Sequence, residues 1–140
     1  MLYEITSNVK ATVEIPVFVK ISSNVSDILE IAQAAEDGNA DGIVAINSVK
    51  AIKIDIETQM PILANKKGGY SGKAIIPIGI RSVYDIASKI NIPIIGSGGV
   101  TTGEDAIEYF MAGASAVQIG SGVYYRGIAV SYTHLTLPTN

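Results

Sequence analysis

The sequence contains no cysteine, and this absence excludes several kinds of chemistry. A chain without cysteine forms no disulfide, binds no metal through thiolates and uses no cysteine nucleophile. Charged residues are also few, at 16% of the chain, and the 10 Lys and Arg do not outnumber the 13 Asp and Glu. Because there is neither a basic excess nor a basic patch, nucleic acid and anionic membrane surfaces are not expected as partners.

Long apolar runs are missing too. The chain has no stretch of about 18 apolar residues and no basic N-terminal region followed by a long apolar run, so neither a membrane span nor a signal peptide is predicted. No set of metal ligands stands out, since the one histidine, His134, lies in the C-terminal tail. We therefore expect a cytoplasmic protein without a metal site. The 140 residues, 48% of them hydrophobic, provide apolar material for one globular domain.

Four short runs rich in Ile and Val predict buried parallel strands. These runs are residues 15–21, 42–47, 92–96 and 114–120. Helical spacing of apolar residues predicts helices between and beside them. The predicted helices are residues 25–37, 76–90 and 104–112. The last of these follows Thr102, which with Asp105 three residues later resembles a capping box.

Alternating strands and helices predict a parallel sheet of the α/β class. A weak repetition of short sequences at the strand starts favours a (β/α)8 TIM barrel over a doubly wound sheet. A complete barrel needs about 250 residues. The sequence therefore predicts half of a barrel. The connection of residues 48–75 is long enough to be functional.

Glycine is concentrated where the predicted strands end. Clusters occur at residues 68–72, 96–99 and 120–122, and the last two follow the last two predicted strands. In barrels those two loops commonly bind a phosphate, because bare backbone amides approach phosphate oxygens where a Cβ would block them. A tight strand-to-helix turn would account for one such cluster. The two together favour a phosphate site.

Lys20 is a charged residue inside a predicted apolar strand. Two interpretations stay open: an edge lysine in solvent, or a cation in the barrel mouth that stabilises negative charge. Asn47 and Ser48 end the next strand; alone they indicate a turn, and beside Lys20 they would offer polar groups to a planar ligand. Seven other charged and aromatic residues are assigned to solvated loop surface (Asp55, Glu57, Lys66, Lys67) and to helix packing (Tyr84, Tyr109, Phe110).

Three long segments resemble dihydroorotate dehydrogenases. They are VFVKISSNVSDILEIAQAAEDGNADGIVAIN (17–47), DIETQMPILANKKGGYSGKAIIPI (55–78) and IPIIGSGGVTTGEDAIEYFMAGASAVQIGSG (92–122). The pattern ILAN-x-x-GG-x-SG-x-AI-x-PI in the second is most similar to the NAD-linked form of class 1, class 1B, of bacteria and archaea. The resemblance covers about residues 5–125.

The resemblance implies the C-terminal half of an FMN-containing barrel enzyme that oxidises dihydroorotate to orotate in pyrimidine biosynthesis. It also implies an electron-transfer subunit with FAD and an iron–sulfur cluster, and a homo-oligomer of full-length subunits. By the same resemblance the residues that contact FMN are Lys20, Ile46, Gly72, Ser97, Gly98, Gly99, Gly120 and Ser121. Four of these residues correspond to the phosphate cradle of the family: Gly98, Gly99, Gly120 and Ser121. Asn47 and Ser48 correspond to residues that reach the substrate.

Some features depart from the family or leave alternatives open. The family's catalytic base belongs to an N-terminal half that this sequence does not contain, so no catalytic residue is assigned. We expect residues 1–127 to form the half-barrel and 128–140 to be a non-native tail, because VSYTHLTLPTN has neither helical period nor family likeness. Asn39 stands where the family usually has Gly. Two other functions remain: a flavoprotein like dihydropyrimidine dehydrogenase, and a half-barrel that binds phosphate or flavin without catalysis.

Overall fold

The computed structural model describes residues 1–129, and the tail 130–140 with His134 lies outside the described residues. The helices are α1 (Leu2–Thr12), α2 (Ile28–Asp37), α3 (Ile76–Ala87), α4 (Gly103–Met111) and α5 (Ser121–Arg126). The strands are β1 (Phe18–Ile21), β2 (Gly42–Ala45), β3 (Val49–Ala51), β4 (Ile54–Asp55), β5 (Met60–Pro61), β6 (Gly68–Tyr70), β7 (Ile94–Ser97) and β8 (Ala116–Gln118). Among residues 1–129 no helix has the length and apolar character needed to cross a membrane.

The main sheet has four parallel strands in the order β1-β2-β7-β8. Each of these strands is followed by a helix, and α2, α3 and α4 pack against the sheet and against one another. The strand order never reverses along the sheet. A doubly wound sheet reverses its order and carries helices on both faces, whereas a barrel does neither. The predicted α/β half-barrel is therefore confirmed.

The two faces of this sheet have different surroundings. On one face Ile43 of β2 is completely buried, in a cluster that includes Val83 and Ile86 of α3. The other face has no covering helix among the described residues, and Lys20 and Ala116 on it are exposed. The register aligns one row of residues across this face: Lys20, Val44, Ile95 and Ala116. The helix-free face is the one that a complete barrel would turn inward.

Local hydrogen bonds determine where the helices begin. The Asp27 carboxylate accepts a bond from the amide of Leu29 at 2.8 Å, so α2 begins at Ile28 and not at the predicted residue 25. The predicted capping box of α4 is present, with Thr102 and Asp105 bonded reciprocally. Both starts follow from a short polar side chain that satisfies the first free amides.

Asn39 follows the end of α2 in a left-handed conformation, with a φ of 65°. Glycine adopts this conformation without strain, and Asn tolerates it better than most other residues. This backbone geometry explains why Asn can stand where the family usually has Gly.

Helix α1 is not predicted from the sequence. Its most buried residue is polar: Thr6 is 3% exposed and packs against Gly38. A Cβ built on Gly38 would lie 2.7 Å from the Cβ of Thr6. The apolar Tyr3 and Ile5 point outward and are about half exposed, at 51% and 54%. Leu2, one turn earlier, is partly buried against the core, and Lys10 donates to the Asp41 carboxylate at 2.7 Å. The inward side of this helix therefore mixes apolar and polar residues, and its apolar pattern alone does not mark it.

The main strands are shorter than the predicted runs. Strand β1 begins at Phe18 because the amide of Val17 donates to the Asp41 carboxylate, at 2.6 Å, and not to a neighbouring strand. The connection 48–75, predicted as a loop, contains two short antiparallel pairs, β3 with β6 and β4 with β5. Segments on either side of the turns in this connection thus pair with each other as short antiparallel strands and do not join the main sheet.

Candidate functional site

A cleft of about 190 Å³ lies at the carboxyl edge of the main sheet. Its lining residues are Lys20, Ile46, Asn47, Ser48, Ser71, Ile75, Ser97, Gly98, Gly99, Gly120 and Ser121. In this lining, which consists of described residues alone, Lys20 carries the only charge and no carboxylate is present. Active sites of barrels are built at this edge. A cleft with a cation and without carboxylates favours an anionic ligand.

Every residue predicted for the site except Gly72 lines this cleft. Gly72 lies beside it: a Cβ on Gly99 would stand 2.7 Å from the Gly72 carbonyl oxygen. Two lining residues, Ser71 and Ile75, are not predicted from the sequence. The signal for Ser71 was its position inside the glycine cluster 68–72, whereas nothing in the local sequence distinguishes Ile75 from other core residues.

Lys20 combines both interpretations of its position. Strand β1 is an edge strand of the main sheet, and Lys20 is exposed on the helix-free face of that sheet. Its side chain also lines the cleft. Within residues 1–129 its ammonium group forms no ion pair. The charge is therefore available to a ligand.

The turn after β7 needs its glycines for the fold itself. Gly98 and Gly99 have φ angles of 129° and 82°, where side chains are strained. A Cβ on Gly98 would lie 3.0 Å from Cδ1 of Ile75, and one on Gly99 would lie 2.6 Å from Cγ1 of Ile76. These contacts are with the protein and not with the open cleft. The turn interpretation thus accounts for the missing side chains, and a ligand can use only the backbone that the turn presents.

Gly120 differs from those two glycines. Its φ is −107°, which any residue adopts, and a Cβ built on it would meet nothing within 4 Å. No protein contact among the described residues therefore requires glycine at this position. The missing side chain leaves open space at the rim of the cleft, next to Ser121.

Free backbone amides also meet at this rim. Within the part of the chain that the structure describes, the amides of Gly99, Gly120 and Ser121 donate no hydrogen bond. Gly99 is buried, Ser121 is half-buried and Gly120 is exposed, so the Gly99 amide is the one that would normally have a partner. Three free amide donors in a cleft that also contains the Lys20 side chain suit the oxygens of a phosphate group. The residues present therefore fit a phosphorylated ligand.

Tyr109 of α4 packs directly beneath the turn. It is completely buried, with Cγ of its ring 2.9 Å from where a Cβ on Gly96 would lie and its hydroxyl beside Gly79. The hydroxyl donates to the carbonyl oxygen of Gly98 at 2.8 Å. Burial, with a smaller effect from the Asp105 carboxylate, raises the pKa of Tyr109 to about 12, so the donor keeps its proton. The helix-packing role predicted for Tyr109 agrees with this burial, whereas Tyr84 is 65% exposed.

Asp105 organises the rest of the loop between β7 and α4. Its Oδ2 accepts bonds from the amide and the hydroxyl of Thr101 and from the amide of Thr102, each at 2.9 Å. Lys73 lies farther away, with Nζ 3.8 Å from Oδ1. Burial raises the pKa of Asp105, but these hydrogen bonds outweigh it and hold the pKa below its ordinary value of 3.8. The carboxylate is thus charged and fixes the loop behind the Gly98–Gly99 turn.

Ser48 is positioned by Asn24, a residue that the sequence does not single out. The Asn24 side chain donates to the carbonyl oxygen of Ser48 at 3.3 Å and accepts from the amide of Lys50 at 2.9 Å. The Asn47 amide donates to the carbonyl oxygen of Ile21 at 2.8 Å, which leaves its exposed side chain free to face the cleft. The end of β2 and the side-chain amide of Asn24 thus hold the segment that places two polar side chains at the cleft.

Comparison with known proteins identifies the family. The family model described as dihydroorotate dehydrogenase matches residues 1–134. The chain is 62% identical over 125 residues to the dihydroorotate dehydrogenase B (NAD(+)) catalytic subunit of Methanocaldococcus jannaschii, covering 89% of this chain and 41% of that protein. It is 55% identical over 129 residues to the same-named subunit of Pyrococcus abyssi, covering 92% of this chain and 43% of that protein.

A solved structure gives the same indication at the level of the fold. The dihydroorotate dehydrogenase of Eimeria tenella in complex with ferulenol has a TM-score of 0.69 and 32% identity, covering 84% of this chain and 32% of that chain. The chain therefore spans about two fifths of the length of the curated relatives that it matches.

Proposed function

The chain belongs to the dihydroorotate dehydrogenase family, and we propose that it forms the FMN-binding part of an enzyme that oxidises dihydroorotate to orotate in pyrimidine biosynthesis. The observation that carries this proposal is the cleft at the carboxyl edge of the sheet. There the free amides of Gly99, Gly120 and Ser121 surround a space that contains one cation and no carboxylate among the described residues.

The phosphate of FMN would bind at the glycine rim. The amides of Gly99, Gly120 and Ser121 would donate to the phosphate oxygens, and the space beside Gly120 would admit them. Gly98 contributes through its backbone shape, and Ser97 lies at the strand end beneath it. A cleft of about 190 Å³ is smaller than usual ligand pockets, so it accounts for the phosphate end of FMN and not for the whole molecule.

The reacting part of FMN and the substrate would extend beyond the cleft on the side lined by Lys20, Asn47 and Ser48. FMN, when bound, supplies the acceptor for the hydride, which carries both electrons away from dihydroorotate. The Lys20 ammonium would stabilise the negative charge that develops there, and Ile46 would form an apolar wall beside it. Asn47 and Ser48 would hold the substrate through hydrogen bonds from their side chains.

The proton of the substrate needs a separate acceptor. No Cys, His, Asp or Glu is present among the described residues that line the cleft. We therefore place the general base in the part of the relatives that this chain does not span. Positioned bases contribute about 10²- to 10⁴-fold to such a step, so the residues described here serve binding and charge stabilisation.

Further subunits belong to the same proposal. The relatives are named as catalytic subunits, which supports a partner subunit for electron transfer. The nature of that partner, predicted to carry FAD and an iron–sulfur cluster, stays a prediction, as do the homo-oligomer and the cytoplasmic location.

Titration of the full 140-residue chain with FMN and with riboflavin, followed by the quenching of flavin fluorescence, tests the cofactor. We expect tighter binding of FMN, because riboflavin lacks the phosphate. Equal affinities, or no binding of either, would contradict the phosphate site.

The reaction is tested in a chimera that joins this chain to the N-terminal part of the Methanocaldococcus jannaschii relative. We expect the chimera to form orotate from dihydroorotate, and Lys20→Ala to lower that rate. If the chimera oxidises dihydrouracil and does not oxidise dihydroorotate, the dihydropyrimidine dehydrogenase-like alternative is favoured. Tight FMN binding without any turnover would favour a binding module.

A further inference from the structure

The hydroxyl of Tyr109 controls one specific peptide of the candidate cleft. Its oxygen lies 2.8 Å from the carbonyl oxygen of Gly98, and the whole side chain is buried. That carbonyl therefore points into the core, toward α4. The next peptide atom in the chain is the amide nitrogen of Gly99, which belongs to the same planar group.

The geometry of a trans peptide determines where the Gly99 amide points. In a trans peptide the C=O and the N–H lie on opposite sides of the chain. Because the carbonyl of Gly98 is held in the core, the N–H of Gly99 points away from the core, on the side of the cleft that both residues line. This amide donates no hydrogen bond within the described residues. The donor is therefore aimed at the cleft by a bond on the opposite side of its own peptide.

We propose that Tyr109 is a positioning residue for anion binding, whose hydroxyl holds the Gly98 carbonyl in the core and thereby directs the Gly99 amide toward the phosphate of the ligand. This inference rests on the proposed function, since it assumes that the cleft binds FMN through its phosphate. It goes further by assigning the orientation of a donor in one loop to a side chain of α4 that does not line the cleft.

The peptide needs such a restraint because both residues that flank it are glycines. Without a Cβ on either side, rotation of the Gly98–Gly99 peptide meets little steric resistance. A rotated peptide would present its carbonyl oxygen to the phosphate, which repels it. The ring of Tyr109 fills the space left by Gly96 whether or not the hydroxyl is present, and the hydroxyl lies beside Gly79. Removal of the hydroxyl therefore keeps the ring packing on Gly96, and a buried control variant accounts for the small space left beside Gly79.

Tyr109→Phe in the 140-residue chain is the direct test, with FMN and riboflavin as the two probes. We expect the Kd for FMN to rise about tenfold, the equivalent of one hydrogen bond to a charged group. The Kd for riboflavin, which has no phosphate, should change less than about twofold. A merely structural role would weaken both ligands together or neither, so an unchanged ratio of the two Kd values would overturn the proposal.

Two control variants on α3 separate the hydroxyl from general effects. Tyr84→Phe removes the same atom from a tyrosine that is 65% exposed, and Val83→Ala removes methyl groups from a completely buried residue. We expect Tyr84→Phe to change nothing, and Val83→Ala to lower the melting temperature without altering the ratio of the two Kd values. A change of ratio in Val83→Ala as large as that in Tyr109→Phe would assign the effect to stability and overturn the proposal.

Measurements on the unsubstituted chain keep the test decisive if Tyr109→Phe does not fold. With ¹⁵N-labelled glycine, addition of inorganic phosphate should shift the amide resonance of Gly99 together with that of Gly120. A shift at Gly120 alone would overturn the role of Tyr109 and leave the phosphate site intact. If the unsubstituted chain shows no preference for FMN over riboflavin and neither glycine responds, the proposed function fails and this inference fails with it.

Discussion

The guanidinium group of Arg126 donates a hydrogen bond to the carbonyl oxygen of Thr101, with 2.6 Å between Nη1 and O. Arg126 is the last residue of α5, which follows Gly120, and Thr101 lies in the loop that follows Gly98 and Gly99. The bond therefore joins the two loops that form the glycine rim of the cleft. Gly122 brings them closer still, since a Cβ there would collide with the carbonyl oxygen of Val100.

Replacement of Arg126 by Met should loosen this connection while keeping the apolar stem. We expect the free energy of unfolding to fall by about 1 kcal/mol and the affinity for FMN to fall with it, because the distance between the two loops is no longer held. Urea unfolding and flavin titration measure the two effects. Arg81→Met is the matched control, as Arg81 is 83% exposed and pairs only with Asp85 on its own helix. Equal effects in both variants would contradict the role of Arg126.

Alanine substitution of two rim glycines should separate folding from binding. Gly99→Ala is expected to cost about 1–2 kcal/mol of stability, because the residue has a positive φ. Gly120→Ala should leave stability within about 0.5 kcal/mol, because its Cβ would meet open space, and should weaken FMN binding in spite of that. Thermal melts with and without FMN distinguish the two. Normal FMN affinity in Gly120→Ala would show that the space beside it is not used by the phosphate.

Asp105 should make stability depend on pH. The folded state holds the pKa of Asp105 below 3.8, so the carboxylate contributes fully above that value, and its contribution is lost as the pH falls through the lowered pKa. We expect Asp105→Asn to be less stable than the unsubstituted chain by about 2 kcal/mol at pH 7. The difference should shrink in acid well below pH 3.8.

Urea unfolding of both proteins at the two pH values measures this difference. Glu108→Gln, on the exposed side of the same helix, is the control. Its free energy of unfolding should equal that of the unsubstituted chain at both pH values. A difference for Asp105→Asn that stays constant with pH would show that the carboxylate is not the group that titrates.

Lys20→Gln should weaken FMN binding through loss of charge. We expect a rise in Kd of about three- to tenfold at low salt, and a smaller rise at about 1 M salt, where exposed charges are screened. Lys89→Gln is the control, since Lys89 follows the C-terminal end of α3, at the edge of the sheet opposite the cleft. The same loss in both variants would indicate a general effect of net charge on an anionic ligand.

The sequence by itself determined the four main strands, the helices α2, α3 and α4, and the edge of the sheet where the cleft lies. Runs such as GIVA in β2 are apolar on both faces, and this local composition identifies a buried parallel strand without knowledge of its neighbours. The glycine clusters after two such strands are also a feature of local composition, and they indicated the position of the cleft. Capping residues such as Thr102 act within one turn of helix, so their pattern is also readable along the chain.

Only the tertiary structure decided why each glycine is needed and which side chains support the cleft. Gly96 and Gly79 are far apart in the sequence, yet both make room for Tyr109. Arg126 reaches a carbonyl 25 residues away, and α1 is held by contacts with remote residues, such as that of Thr6 with Gly38. These features depend on distances between segments that are remote along the chain. Local composition and periodicity carry no information about such distances, because folding alone brings the segments together.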